Sequence, residues 1–227
     1  MSHRRRSQCW TSILAWLGHK IVDVPAWFAD LLSEKLHATI ELSSDQIGKL
    51  YSHYEHLIKW NQKINLTSVR VPEEIVVRHY CESLFFSAHL PEALSGARIL
   101  DLGSGAGFPG FPMAVLRPHW RITLLESHQR KAVFLREASR GVDNVEVKAQ
   151  RAESSLGSFC WIVSRAVRPE DVLTQVPRLG TRVGLLIGEA DLPSLRKRVG
   201  ISWQEPVRIP WGERRLCVFG RLVPRET

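Results

Sequence analysis

Apolar and polar positions change their rhythm near the middle of the chain. Before Gly96 the apolar residues recur every three to four positions, which predicts helices. Trp27, Phe28, Leu31, Leu32 and Leu36 make one stripe over residues 25–37. Ile47, Leu50, Tyr51, Tyr54, Leu57, Ile58 and Ile64 hold the period for about five turns. Ser43 followed by Gln46 reads as the capping box that starts this helix. Pro72, Glu73 and Glu74 suit the first turn of a third helix. It carries Ile75, Val76, His79, Tyr80 and Leu84 and ends before Pro91.

After Gly96 short apolar runs alternate with helical patterns. "RILDL", "RITLLE", "NVEVKA", "FCWIVSRAV" and "RVGLLIG" read as strands. Helices are predicted over residues 109–116, 127–140, 170–179 and 192–199. "PVRIPW" and "RLCVFGRLV", on either side of Gly212 and Glu213, predict an antiparallel hairpin. Strands alternating with helices imply right-handed crossovers and a covered parallel sheet. The expectation is an α/β fold with a mostly parallel seven-stranded sheet, a C-terminal antiparallel hairpin and N-terminal helices. A ligand would lie beyond the carboxyl ends of the strands. Residues 1–26 read as an extension, 27–95 as a helical region and 96–227 as the ligand-binding domain, packed with 27–95 as one unit.

Composition adds an anionic partner to this picture. The 227 residues carry a formal charge of +8, with 23 Arg against 8 Lys. Arginine suits bidentate phosphate contacts, so RNA or DNA is the natural partner, and plain solubility charge is the alternative. Cys9, Cys81, Cys160 and Cys217 lie far apart with no metal-ligand spacing, which argues against zinc and for a reducing, cytoplasmic setting. Cys160, within an apolar run, is expected to be buried. No apolar run is long enough to span a membrane. Arg4 to Arg6 and the apolar residues after them imitate a signal peptide but lack a cleavage site. Trp10, Ile13, Leu14, Leu17 and Ile21 have helical spacing, which fits a docked extension or a surface helix.

The stretch "RILDLGSGAGFPGFPMAVLRP" carries the candidate chemistry. Gly103, Gly105 and Gly107 alternate after a strand ending in Asp101-Leu102. They allow a tight turn and close approach of a ligand. A dinucleotide fingerprint would place its third glycine where Phe108 stands. The alternating spacing is instead that of S-adenosylmethionine (SAM) methyltransferases of class I, a Rossmann-like fold. Gly103, Ser104, Gly105, Gly107 and Phe108 are then cofactor-binding candidates. Glu126 ends the second strand, where a carboxylate can accept from both ribose hydroxyls. Alternatively, it caps the following helix. Ala152 and Glu153 follow the third strand, where a backbone amide and a carboxylate can read an adenine. A solvated Glu153 is the simpler alternative.

These segments resemble the RsmG (GidB) family of bacterial 16S ribosomal RNA methyltransferases, which make 7-methylguanosine. The resemblance rests on "DLGSGAGFPGFPMAVLRP", "LLES" with "RKAVFLRE", "NVEVKAQRAE", "SRAV" and the upstream "WNQKINLTSVRVPEEIVVRHYCESL". It runs from about Trp27 to about Gly188. It implies SAM contacts at Gly103, Phe108, Ala152, Glu153 and Arg165, with Glu126 at the ribose. Asn65, Arg78, His79 and Ser83 match the upstream signature. The chain departs from the family in having Glu82 in place of Asp, and Ile187 in place of a lysine before Gly188. Residues 1–26 have no family counterpart.

Guanine N7 carries a lone pair and no proton, so methylation there needs alignment and no general base. Accordingly no catalytic residue is assigned, and Arg165 is the candidate nearest the acceptor. Asn65, Arg70, Arg78, His79 and Arg168, with Arg117 and Lys131, are candidates for an RNA path. His79 fits equally a helix histidine without such a role. The implied partner is 16S rRNA or the 30S subunit, the protein itself being a monomer without metal. Two other readings stay open: methylation of a small molecule, and a non-enzymatic RNA-binding module that keeps a SAM pocket.

Overall fold

The helical stripes become a layer that covers one face of a sheet. The computed structural model describes residues 23–91, 95–154 and 157–223. The predicted N-terminal helix around Trp10 and Ile13 lies outside the described residues, as does Cys9. Helix α1 (Ala26–Leu36) buries Phe28, Leu32 and Leu36. Helix α2 (Ser44–Asn61) starts at the expected capping box: Ser43 Oγ accepts from the Gln46 amide, and Gln46 Oε1 accepts from the Ser43 amide. The Gln46 side-chain amide also donates to the Val115 carbonyl at 3.0 Å, tying this helix to the next layer.

The third predicted helix is interrupted. It runs as α3 (Pro72–Ile75), a π-helical turn (Val76–Cys81) and α4 (Glu82–Ala88). Such turns widen the helix by one residue and are frequent at functional sites. This one carries Arg78 and His79. Phe28 packs edge-on to Tyr51 and Tyr80, and the same buried cluster continues into Phe111 and Phe134 of the α/β half.

Strand β1 (Arg98–Leu102), α5 (Gly110–Leu116), β2 (Arg121–Leu125), α6 (Gln129–Ala138) and β3 (Val145–Lys148) make the first half of the sheet. The second half is β4 (Trp161–Arg165), α7 (Pro169–Leu179), β5 (Arg182–Gly188), α8 (Leu192–Arg196), β6 (Ile201–Trp203), β7 (Val207–Arg208) and β8 (Arg215–Leu222). The order is β3-β2-β1-β4-β5-β8-β6, with β7 also pairing β8. The first five strands are parallel, and β8 runs antiparallel to β5. Strand order reverses between β1 and β4, the switch point at which such sheets bind ligands.

Two expectations need correction. The sheet has eight strands, because Ile201–Trp203 pairs with Leu222 to Gly220 in addition to the hairpin. At three residues it is too short to show an apolar alternation. Cys160 is exposed. It precedes β4, its amide donates to the Arg98 carbonyl, and the inward place is taken by Phe159.

Candidate functional site

The glycine turn forms because its backbone visits conformations that side chains disfavour. Gly103, Gly105 and Gly107 have φ of 74°, 58° and 91°. A Cβ on Gly103 would stand 2.5 Å from Val167 Cγ2, so the β1 and β4 turns touch. A Cβ on Gly105 would meet nothing nearer than 3.9 Å, so that position faces open space. Gly110 packs α5 onto the sheet, where a Cβ would lie 2.4 Å from Leu124 and 2.6 Å from Asp101 Oδ2.

Five of the six amides from Gly103 to Phe108 are spent within the protein. Gly103 and Ser104 donate to the Leu125 carbonyl, and Gly107 and Phe108 to the Ser104 carbonyl. The Gly105 amide donates to Glu126 Oε2 at 2.9 Å. A phosphate cradle needs free N–H groups pointing at the ligand. This turn offers instead carbonyl oxygens and Cβ-free surface, which suit a cationic ligand. Glu126 also accepts from the His128 amide through Oε1 at 2.7 Å, but His128 is itself the N-cap of α6, which has no side-chain cap. The buried carboxylate therefore stands between the turn and α6, where a diol could share it.

Beneath the turn lie groups that the sequence pattern did not single out. Asp101 is fully buried, and its Oδ2 accepts from the Gly110 amide at 3.0 Å. Burial pushes its carboxyl up to about 7 against the pull of the Gly110 and Ser104 hydrogen bonds. His53, from α2, stacks on Phe111 and bonds the Tyr80 hydroxyl through Nδ1 at 2.7 Å. A Cβ on Gly107 would be 3.1 Å from its Nε2. Burial lowers the His53 pKa to about 3, so the ring is neutral packing. The only signal in the sequence was a polar residue on an otherwise apolar helix face.

His79 stacks on Phe108 at 4.9 Å and bonds Thr67 Oγ1 at 2.7 Å. Burial, then Arg165, Arg78 and Arg215, bring its pKa down to about 3. It thus braces the glycine turn as a neutral ring. Ser83 is buried and donates to the His79 carbonyl. Asn65 is exposed. Asn61 organises that loop, its side chain bonding Leu66 and Thr67 backbone groups.

Arg165 ends β4 with its side chain almost buried and 3.2 Å from Glu82 Oε2. Arg215 Nε lies 3.6 Å from the same oxygen. Burial raises the Glu82 pKa against the pull of these arginines, and burial lowers that of Arg165 to about 10. Arg70 and Arg78 are exposed nearby on the helical layer, Arg78 reaching Glu74 at 3.9 Å. Arg168 is engaged by Asp171 in the first turn of α7. Arg117 lies at the amino edge, over Trp120, away from the turn. Lys131 is in the first turn of α6. Ala152 and Glu153 form a 3-10 turn after β3, Glu153 exposed and the Ala152 carbonyl bonded by Arg178. A cavity of about 820 Å³ lined by Arg98, Trp120, Arg121 and Asn144 opens at the amino edge, opposite the glycine turn. Among the described residues no three His, Cys, Asp or Glu side chains are arranged to hold a metal, and no helix is long and apolar enough to cross a membrane.

This arrangement has relatives. The family model for rRNA small subunit methyltransferase G (GidB) matches residues 46–186. The chain belongs to this family. "Ribosomal RNA small subunit methyltransferase G" of Sodalis glossinidius is 40% identical over 192 residues, 82% of this chain and 88% of that protein. Its counterpart in Nitrosomonas europaea is 46% identical over 127 residues, 54% of this chain and 58% of that protein. The match thus spans little more than half the length of the latter relative. Among solved structures, a Klebsiella pneumoniae protein provisionally assigned as an O-methyltransferase aligns with TM-score 0.58 at 15% identity, covering 85% of this chain and 96% of its own. A ribosomal protein L11 methylase from Lactobacillus delbrueckii subsp. bulgaricus aligns with TM-score 0.53 at 12% identity, covering 64% and 79%. At such identities these two show the fold alone, that of class I methyltransferases. Family membership matches the resemblance read from the glycine and upstream motifs.

Proposed function

We propose that the protein transfers a methyl group from SAM to guanine N7 in 16S rRNA. The observation that carries this reading is the glycine turn, with five of its six amides already engaged. It is unsuited to a pyrophosphate and suited to the ammonium and sulfonium of SAM. Gly103, Gly105 and Phe108 would line the amino-acid half, Glu126 would accept from the ribose hydroxyls, and Ala152 and Glu153 would meet the adenine. When bound, SAM supplies an electrophilic methyl group. The residues of this chain hold the acceptor in line and exclude water. N7 has no proton to lose, so the neutral His53 and His79 rings are no handicap. The arginines on the β4–β5–β8 side favour an anionic acceptor over a small neutral molecule.

The test uses SAM labelled in its methyl group and 30S subunits lacking the modification. Label in guanine N7 is the expected outcome. No transfer, with SAM binding intact, would sink the reading. Steep loss of acceptor affinity with rising salt would separate RNA from a small neutral acceptor.

A further inference from the structure

Glu82 is a buried acid that methyl transfer to N7 does not need. It is 2% exposed, comes from α4, and lies at the carboxyl edge between two guanidinium groups. Arg215 reaches that edge because β8 is antiparallel. Its first residue pairs with Gly188, the last of β5. Arg78 also faces the cluster from the π-helical turn, and His79 contributes no charge. Three arginines therefore share two carboxylates, since Arg78 also reaches Glu74 at 3.9 Å. That leaves the cluster cationic, with Arg165 Nη1 and Glu82 Oε2 both buried and without a hydrogen-bond partner. Such a donor normally finds an acceptor. Among the described residues, Ala166 and Arg214 are the two non-glycine residues with positive φ, and each adjoins one of these arginines. Left-handed backbone of this kind concentrates where side chains must be aimed.

The position of Arg215 says which anion it faces. From β1 to β8 there are three strand spacings, roughly 14 Å. On the proposed reading the methionine end of SAM meets the β1 turn, which puts Arg215 beyond it, on the side left for the acceptor. We propose that Arg215, braced by Glu82 beside Arg165, seats a phosphodiester of the acceptor RNA next to the base being methylated. This rests on the rRNA reading above. Arg215 is about a quarter exposed, and its Nε faces Glu82 Oε2 at an ion-pair distance of 3.6 Å, so its terminal nitrogens can face an incoming phosphate.

The test compares wild type, Arg215→Gln and Arg215→Lys on undermethylated 30S subunits over a salt series, with SAM binding by calorimetry as the control. Arg215→Gln should raise KM for the subunit about tenfold and flatten the plot of log affinity against log salt by about one. SAM affinity should stay within twofold. Arg215→Lys should restore the salt slope and part of the KM, since it keeps the charge and loses the fork. A wild-type KM and slope in Arg215→Gln would overturn the seat. So would a loss that follows SAM affinity instead of the subunit. Should Arg215→Gln fail to fold, a Lys variant with a slope flatter than wild type would overturn it alone. No methylation by the wild-type protein would instead overturn the rRNA reading beneath it.

Discussion

The two halves of the site are built from different materials. On the β1–β2 side the surface is main chain: three left-handed glycines, carbonyl oxygens and one carboxylate. Its support is uncharged aromatic packing by Phe108, Phe111 and the neutral His53 and His79. On the β4–β5–β8 side the surface is side chain: Arg165, Arg215 and Arg78 around Glu82. A cofactor that is the same in every turnover can be met by fixed backbone. A polyanion is met by long cationic side chains with a built-in countercharge. The first half should thus fail through sterics and the second through charge.

The largest effect expected separates packing from binding within the first half. Gly110→Val would drive side-chain atoms into Leu124 and Asp101, costing about 3 kcal/mol or more and lowering Tm sharply in calorimetry. Gly105→Val faces open space, so it should cost only about 1–2 kcal/mol of backbone strain while abolishing measurable SAM binding. If Gly105→Val bound SAM normally, the pocket is misplaced.

Acid should act next. His53 and His79 titrate near 3 when folded and 6.5 when unfolded, so the unfolded chain binds more protons between those values. Both therefore lose stability as pH falls from 6.5 towards 3. Asp101 acts oppositely: with its folded pKa near 7, stability rises as pH falls from 7 towards 3.8. Glu82, whose pKa burial also raises, acts in the same sense as Asp101, so the histidines set the fall and the two acids hold it below the roughly 1.4 kcal/mol per pH unit of one net proton. Urea midpoints from pH 7 to 4 would show the fall, and His53→Gln should flatten it. A midpoint rising through that window would contradict the balance.

A smaller change should come from Glu126→Gln. Losing the charge behind the Gly105 and His128 hydrogen bonds should cost about 1–2 kcal/mol and weaken SAM about tenfold by calorimetry. The smallest belongs to the exposed Arg168–Asp171 pair, where Arg168→Ala should move stability by less than about 0.5 kcal/mol. A large loss of methylation in that variant, with Tm unchanged, would mean that Arg168 touches RNA.

The same contrast decides what could be read from the sequence. The proposed cofactor half is contiguous, so its glycine spacing, Glu126 and the strand pattern were legible. Most of the helices and strands followed from periodicity, and the Ser43 cap was readable outright. The proposed acceptor half draws on positions 78, 82, 165 and 215; Arg78 and Arg165 were legible as candidates, but Arg215 joins them only because β8 lies antiparallel beside β5. Local pattern carries no trace of that. β6 escaped because three residues show no alternation, and Cys160 misled because its run enters the strand one residue later. Asn65 matched a signature, yet Asn61, four residues earlier, makes the loop's hydrogen bonds.

His53 gives the turn between β1 and α5 a floor that belongs to another part of the chain. A fragment cut to start at β1 would keep every residue of the glycine motif and lose the ring on which Phe111 rests. Grafting that motif onto a different Rossmann-like scaffold would meet the same hole. Whoever wishes to shrink or transplant this protein must carry the early helices along.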